Sequence, residues 1–262
     1  MSEPPNKMAV LGVGITPTSY EGVVNQIDSW ISQRSRGQDV SARYVCVTSV
    51  HGIITAQKNP EFRAILNKAD IVTPDGMPVV WALRTAGRPE QQRVYGPTLT
   101  LALCLQASRR GFRVFLYGGR PEVLPALQSR LEASHPGLVI CGSYSPPFRP
   151  LTKEEDLYVH RLICQADPDI IFVGISTPKQ EQWMFDHLNS FPGAVMVGVG
   201  AAFDFHAGRV RQAPLWMQRA GLEWLFRLMS EPTRLWRRYL LETPQFIPYW
   251  MLERLGLYRS PQ

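Results

Sequence analysis

The sequence predicts an α/β fold, a mostly parallel sheet flanked by helices, followed by a basic amphipathic helical appendage at the C-terminus. Short apolar runs alternate with amphipathic stretches of helical length from about residue 44 to residue 199, the rhythm of successive βαβ units. The runs are apolar throughout rather than at every second residue, as strands covered on both faces must be. From Arg209 onward the chain carries nine Arg, four Glu and no Lys, Asp or His, together with Trp216, Trp224, Trp236 and Trp250 of its seven Trp. That segment holds +5 of a whole-chain charge of +6, so the rest of the protein is nearly neutral.

The elements follow in order. Tyr44–Val47 reads as a strand, and His51–Lys58 and Pro60–Asn67 as helices. Asp70–Thr73 is strand-like and runs into the turn Thr73-Pro74-Asp75-Gly76. Leu99–Arg109 is helical, Arg113–Tyr117 a strand, Gly118-Gly119 a turn, and Pro121–Ser134 a helix with proline in its first turn. Leu138–Cys141, Ile170–Gly174 and Ala194–Val199 are strands, with helices Lys153–Gln165 and Pro178–Leu188 between them. This is a Rossmann-like body, and the composition shift near Gly208 divides it, as residues 1–207, from an appendage of residues 208–262. In the appendage Ala213–Met229 and Pro232–Leu241 read as two helices, since Pro214 and Pro232 stand where helices begin. Helical spacing puts Leu235, Trp236, Tyr239 and Leu240 on one face of the second, and Arg234, Arg237 and Arg238 on the other.

At 262 residues, 45% hydrophobic and 19% charged, the composition is globular. No apolar run approaches the roughly 18 residues of a membrane span; the longest, Ala194–Phe203, is laced with glycine. The N-terminal MSEPPNKMAV lacks the apolar core of a signal peptide, so the expected location is cytoplasmic. Cys46, Cys104, Cys141 and Cys164 are dispersed, with neither zinc-ligand nor disulfide-framework spacing, and most sit in apolar segments as core residues would.

Ligands of a parallel α/β sheet bind beyond the carboxyl ends of its strands. Those ends carry Thr48, Ser49 and His51; Asp75; Gly118, Gly119 and Arg120; Ser176 to Glu181; and Ala201 to His206 with Asp204. Gly118-Gly119 lets backbone amides approach a phosphate, or is simply a turn. Asp75 follows a strand with no basic neighbour in sequence; it can accept a proton from a substrate hydroxyl, or cap an Asx turn. Gln180 can pair with a uracil edge or a sugar hydroxyl, while Glu181 suits the dipole of its helix start. Asp167-Pro168-Asp169 has the form of a metal-binding DxD, but it precedes a strand and so falls at the amino end of the sheet. His51, His187 and His206 have no metal-ligand spacing, and nothing in the sequence calls for a metal or cofactor.

Taken together, the segments resemble the WecG/TagA/CpsF family of bacterial glycosyltransferases over nearly the whole chain. The resemblance rests on Val72-Thr73-Pro74-Asp75-Gly76-Met77-Pro78, Arg93-Val94-Tyr95-Gly96, Leu116-Tyr117-Gly118-Gly119, Thr177-Pro178-Lys179-Gln180-Glu181 after Gly174, and Gly198 through Asp204. The tail adds Ala213-Pro214, Gly221-Leu222-Glu223-Trp224-Leu225, and Glu231-Pro232 followed by Arg234 and Trp236-Arg237-Arg238-Tyr239. Order and spacing, more than any one piece, make the resemblance specific.

What it implies is an inverting, metal-independent transfer of a sugar from a UDP-sugar to a polyprenyl-diphosphate-linked sugar, on the cytoplasmic face of the membrane, in cell-surface polysaccharide assembly. It assigns the general base to Asp75 and pocket roles to Thr48, Arg93 and Gln180. It assigns the diphosphate to Arg227, Arg234 and Arg237 of a tail that also binds the anionic inner-membrane surface. Ser49 stands where relatives usually have Asn, and Thr98 where they often have Asp, so the donor sugar does not carry over: glucose, N-acetylmannosamine and its uronic acid stay open, as does a homo-oligomer. A nucleotide-cofactor enzyme using NAD or S-adenosylmethionine is the alternative on the same scaffold, but the glycine fingerprint it needs is missing. A nucleic-acid binder is disfavoured, because the basicity is confined to a tail interleaved with Trp and Leu.

Overall fold

The computed structural model describes residues 6–258. In chain order the elements are β1 (Met8–Val10), β2 (Val13–Ile15), α1 (Tyr20–Ser35), β3 (Arg43–Thr48), α2 (Val50–Lys58), α3 (Pro60–Lys68), β4 (Ile71–Pro74), α4 (Met77–Thr85) and α5 (Gly96–Arg110). Then come β5 (Arg113–Gly118), α6 (Leu124–Ser134), β6 (Val139–Tyr144), α7 (Lys153–Ala166), β7 (Ile170–Gly174), α8 (Lys179–Asp186), β8 (Val195–Gly198) and α9 (Ala202–His206). The tail holds α10 (Leu215–Arg219), α11 (Glu223–Ser230), α12 (Pro232–Trp236), a π-helical turn (Arg237–Glu242), a 3-10 turn (Thr243–Gln245) and α13 (Phe246–Arg254). The expected α/β class is what the chain adopts, with a six-stranded sheet in the order β4-β3-β8-β7-β5-β6. The pairs β3/β8, β8/β7, β7/β5 and β5/β6 are all parallel.

Two compact units divide the chain. One draws on Met1–Ser19, Val47–Tyr95 and Gln212–Gln262, the other on Tyr20–Cys46 and Gly96–Arg211. In the second unit β5, β7 and β8 are buried almost end to end, which is why their sequences are continuously apolar. Helix α7 opens with a capping box, Thr152 and Glu155 satisfying each other's backbone amides. It ends at Asp167, whose backbone is left-handed at φ 39°. The DxD lies there: Asp167 and Asp169 both pair with Arg34, and Asp169 also accepts the Arg113 backbone N–H at 2.9 Å. Those two carboxylates therefore tie helix α1 to the start of the sheet. Cys46 and Cys104 are buried as expected of core residues, whereas Cys164 is exposed.

In the first unit α3 is capped by the Asn59 side chain, which accepts the Phe62 N–H at 3.0 Å, with Pro60 at the first position. Asp75 follows β4, and its N–H donates to the Thr48 carbonyl at 3.0 Å. The tail belongs to this unit through specific bonds. Glu253 accepts the Leu11 N–H, Tyr258 donates to Gln57, and Arg254 donates to the Thr85 carbonyl.

The tail differs from the sequence expectation in two ways. The single helix expected over Ala213–Met229 is broken between α10 and α11, because Gly221 takes φ +74°, and the Leu222 N–H closes back on Met217 at 2.8 Å. The helix expected over Pro232–Leu241 stays α-helical only to Trp236 and then widens into the π turn. Face assignment by 3.6-residue spacing fails from there. Leu235 is buried, but Trp236 and Leu240, expected on the same face, are exposed. Arg234 and Arg237 face solvent, while Arg238, expected beside them, turns inward. The N-terminal stretch Met1–Pro5 and the tail residue Arg259 lie outside the described residues.

Candidate active site

The first unit gathers most of the sequence-nominated polar residues. Gly76, at φ +96°, ends β4 and starts α4; a side chain at that φ is strained, so the turn that presents Asp75 requires glycine. Arg93 Nε and Nη2 both lie 2.8 Å from Oδ1 of Asp75, while Nη1 reaches Oε2 of Glu223 at 2.6 Å. All three side chains are part-buried, at 16%, 16% and 12% exposure for Arg93, Asp75 and Glu223. Oδ2 of Asp75 accepts no hydrogen bond among the described residues. The Arg93 guanidinium also stacks over the Tyr95 ring, 4.1 Å from its centroid.

Electrostatics follow from that geometry. Burial pushes the Asp75 carboxyl above its ordinary range; Arg93 pulls it back, and Glu223 pushes it further up. Burial works against the Arg93 charge, but Asp75 and Glu223 outweigh it and hold the guanidinium above its usual value. His51 is lowered to about 4, chiefly by burial and then by the Arg238 and Lys58 charges. It is a neutral imidazole at neutral pH, its Nδ1 lying 3.3 Å from Oε2 of Glu242. The Thr48 hydroxyl is buried with no hydrogen-bond partner among the described residues. The Ser49 hydroxyl lies 3.5 Å from Nη2 of Arg238.

Of the three tail arginines nominated for the diphosphate, Arg227 and Arg234 both face Glu231, at 3.8 Å and 2.6 Å. Arg237 stacks on its neighbour Trp236. Arg234 is 57% exposed. The residues that close on Asp75 and on the start of α2 are Glu223, Tyr95, Arg238 and Glu242, none of which sequence reasoning nominated. Tyr95 and Glu223 lie inside the segments Arg93–Gly96 and Gly221–Leu225 that carry the family resemblance, and Glu223 is one of only four acidic residues in the tail. Arg238 was placed beside Arg234 and Arg237 by a helical spacing that the π turn breaks.

The second unit holds the remaining nominated residues. Gly118, at φ +126°, faces the Gly174 backbone so closely that a Cβ would lie 2.6 Å from its carbonyl. The Gly119 N–H donates to that carbonyl at 3.1 Å, and α6 starts only at Leu124. The two glycines thus let β5 and β7 close on each other. Gln180 is buried and fixed at both ends, its Oε1 accepting the Gly200 N–H at 3.0 Å and its Nε2 donating to Glu181 at 3.0 Å. Thr177 donates to the same Glu181 oxygen at 2.8 Å. Glu181, read from sequence as a residue for the helix dipole, is the hub of this network. The Asp204 carboxylate is part-buried on α9 and makes no hydrogen bond among the described residues. Among the described residues no three His, Cys, Asp or Glu side chains gather where they could share a metal ion.

Residues 8–260 match the glycosyl transferase WecG/TagA/CpsF family. The chain is similar to an N-acetylglucosaminyldiphosphoundecaprenol N-acetyl-beta-D-mannosaminyltransferase of Bacillus spizizenii, 36% identical over 192 residues, covering 73% of this chain and 72% of the relative. It is also similar to the enzyme of the same description from Bacillus subtilis, 32% identical over 191 residues, with the same coverage. A match of that extent, in both the sheet-forming body and the tail, means that this chain belongs to the WecG/TagA/CpsF family of glycosyl transferases.

Proposed function

We propose that this protein transfers a hexose-type sugar from a UDP-sugar, with inversion, to a polyprenyl-diphosphate-linked sugar at the cytoplasmic membrane surface. The observation that carries the reading is Asp75, a carboxylate held through one oxygen, with the other free and its proton affinity raised by burial. A sugar hydroxyl is a poor nucleophile until its proton has somewhere to go. The free Oδ2 takes that proton as the hydroxyl oxygen attacks the anomeric carbon from the side opposite the UDP, and the bond to the β-phosphate oxygen breaks. Such a base contributes about 10²–10⁴ in rate. One nucleophile and one inversion need no second carboxylate behind the anomeric carbon.

UDP leaves with growing negative charge, which cationic donors stabilise. Arg227, Arg234 and Arg237 take that role in the family resemblance, and the guanidinium fork suits phosphate oxygens better than an ammonium. Thr48, Ser49, His51 and Arg93 serve the substrates around the base. Gln180, Asp204 and the Gly118-Gly119 turn serve the donor, Gln180 by holding the loop at Gly200 in place. The transfer runs without a divalent metal, the arginines replacing it. The tail of residues 208–262 attaches the protein to an anionic bilayer, where the lipid acceptor resides; among the described residues no helix is long and apolar enough to cross a membrane.

The relatives' names favour N-acetylmannosamine as the sugar and N-acetylglucosaminyl-diphospho-polyprenol as the acceptor, in cell-surface or exopolysaccharide assembly. The test is UDP release from a panel of UDP-sugars (glucose, N-acetylmannosamine and its uronic acid) with a polyprenyl-diphosphate-N-acetylglucosamine acceptor, in excess chelator. Acceptor-dependent release with one donor is expected. Release that needs no acceptor, or binding of NAD or S-adenosylmethionine in place of UDP, counts against the reading.

A further inference from the structure

Arg238 is a part-buried charged side chain that makes no ion pair among the described residues. It sits on the π-helical turn, and its Nε is sealed from solvent without a hydrogen-bond acceptor among the described residues. Its nearest partners are neutral, the Ser49 hydroxyl at 3.5 Å and the Tyr239 ring 5.6 Å from the guanidinium carbon. No carboxylate among the described residues lies within ion-pair distance of it. Burial lowers its affinity for its proton, the neighbouring Arg227 and Arg234 charges lower it further, and Tyr239 and Asp75 oppose them. Glu231 is the carboxylate that both Arg227 and Arg234 use.

Burying an unpaired guanidinium is costly, and folds normally pair it or expose it. The exposed option was open, since Arg234 and Arg237 take it on the neighbouring turn. The π turn is the device that prevents it here: widening the helix turns Arg238 and Glu242 together toward the start of α2, where Ser49 and His51 lie. Ser49 presents a hydroxyl that can donate to an anion or accept from Arg238.

We propose that Arg238, with Ser49, forms the diphosphate-binding centre of this site, the bound anion supplying the counter-charge that the protein withholds. This rests on the glycosyl-transfer reading, and it moves the principal phosphate contact from the exposed Arg234 and Arg237 to a part-buried residue whose Nε is sealed from solvent. A site with a preformed unpaired guanidinium binds a diphosphate strongly because no protein ion pair has to break first. The diphosphate belongs either to the leaving nucleotide or to the lipid acceptor.

The test follows thermal unfolding of the full chain as inorganic pyrophosphate, UDP and a short-chain polyprenyl diphosphate in micelles are titrated in turn. The variants are Arg238→Met, Arg238→Lys and, as an exposed tail control, Arg219→Met. Arg238→Met should match or exceed the wild type in stability without ligand, as an apolar residue of similar size does when it replaces an unpaired buried charge. It should bind pyrophosphate roughly 10–100-fold more weakly, the loss of a charge-assisted hydrogen bond. Arg238→Lys should fall between the two, and Arg219→Met should behave as wild type toward pyrophosphate and UDP. Weakened UDP binding assigns the centre to the leaving nucleotide; weakened prenyl diphosphate binding assigns it to the acceptor. Wild-type affinity of Arg238→Met for all three anions overturns the proposal, and if that variant does not fold, unchanged affinities in Arg238→Lys do so. Pyrophosphate binding that depends on Arg238, in a protein that turns over no UDP-sugar, would overturn the transfer reading and leave the anion site standing.

Discussion

Arg93 holds Asp75 by one oxygen only: Nε and Nη2 both converge on Oδ1 at 2.8 Å. A bidentate fork would have engaged both carboxylate oxygens and left no acceptor for a substrate. The convergent grip fixes the carboxylate plane and leaves Oδ2 open. Asp75→Asn keeps the size and an oxygen acceptor but cannot take the proton. We expect it to fold and bind UDP as the wild type does, and to lose about 10²–10⁴ in turnover. Steady-state kinetics with the preferred donor measure this, and activity within a few fold of wild type removes Asp75 from the role.

Glu223 raises the proton affinity of Asp75 and so should set the strength of the proposed base. It shares Arg93 with Asp75, and its negative charge adds to the burial that raises the Asp75 pKa. A base works when deprotonated, so activity should fall as pH drops through the raised Asp75 pKa. In Glu223→Gln the repelling charge is gone and Arg93 is left wholly to Asp75. The acidic limb of kcat/KM should therefore move to lower pH, and the plateau should fall as the base weakens. A variant that loses activity equally at every pH would show Glu223 to be a packing contact only.

The sheet was legible because its signal is local. Runs such as Ile170–Gly174 are apolar throughout, and that strand begins and ends where the sequence places it. Helix α1 carries an equally local signal: Val23, Ile27, Trp30 and Ile31 repeat at helical spacing and are all buried. Asp75 could be nominated from its place after a strand, but the partners that tune it could not. Arg93 is 18 residues away and Glu223 another 130, and no local pattern reports a contact across such separations. The inward turn of Arg238 was hidden for a different reason. Sequence spacing assumes 3.6 residues per turn, and the π turn breaks that count with no proline or glycine inside it, Pro244 following only in the next turn.

His51 makes folding stability sensitive to mild acid. The unfolded imidazole takes a proton near 6.5, the folded one only at about 4. Between those values the unfolded state binds more protons, so stability falls as pH falls through the window. The full loss below pH 4 is on the order of 3 kcal/mol. Asp75 titrates in the opposite sense, its raised folded pKa favouring the folded state as acid is added. Comparing wild type with His51→Gln by urea unfolding at pH 6.5, 5 and 4 cancels that contribution. The variant should lose less stability over the window; parallel losses would mean that His51 is not held neutral.

Gly118 has no room for a methyl group. A Cβ there would lie 2.6 Å from the Gly174 carbonyl, which is backbone and cannot swing away, and φ +126° is strained for any other residue. Gly118→Ala should cost roughly 2–4 kcal/mol through overpacking and backbone strain together. Gly111→Ala is the matched comparison, with φ +70° but open space around its Cβ position. It carries the conformational strain alone and should cost about 1 kcal/mol. Equal denaturation midpoints for the two variants would show that the approach of β5 to β7 is not what fixes the glycine.

Deleting the tail is a poor test of membrane attachment, because Leu235 and Phe246 are buried and Glu253, Arg254 and Tyr258 bond back to the first unit. Point substitution separates anchoring from folding. Leu215, Trp216 and Met229 are 68%, 64% and 73% exposed, and water is an unfavourable neighbour for all three. Inserted at a bilayer interface, each would bury an apolar side chain worth about 1.5–3 kcal/mol. Exposed tail arginines such as Arg219 add about 1 kcal/mol each on an anionic surface, a contribution that salt screens. The apolar part is not screened, so the two can be told apart by vesicle co-sedimentation at low and high salt. Leu215→Gln with Trp216→Gln should weaken binding at both salt concentrations and leave the unfolding midpoint in solution nearly unchanged. Arg219→Gln should weaken binding at low salt alone. If the double variant binds anionic vesicles as tightly as the wild type at high salt, attachment runs through some other surface of the protein.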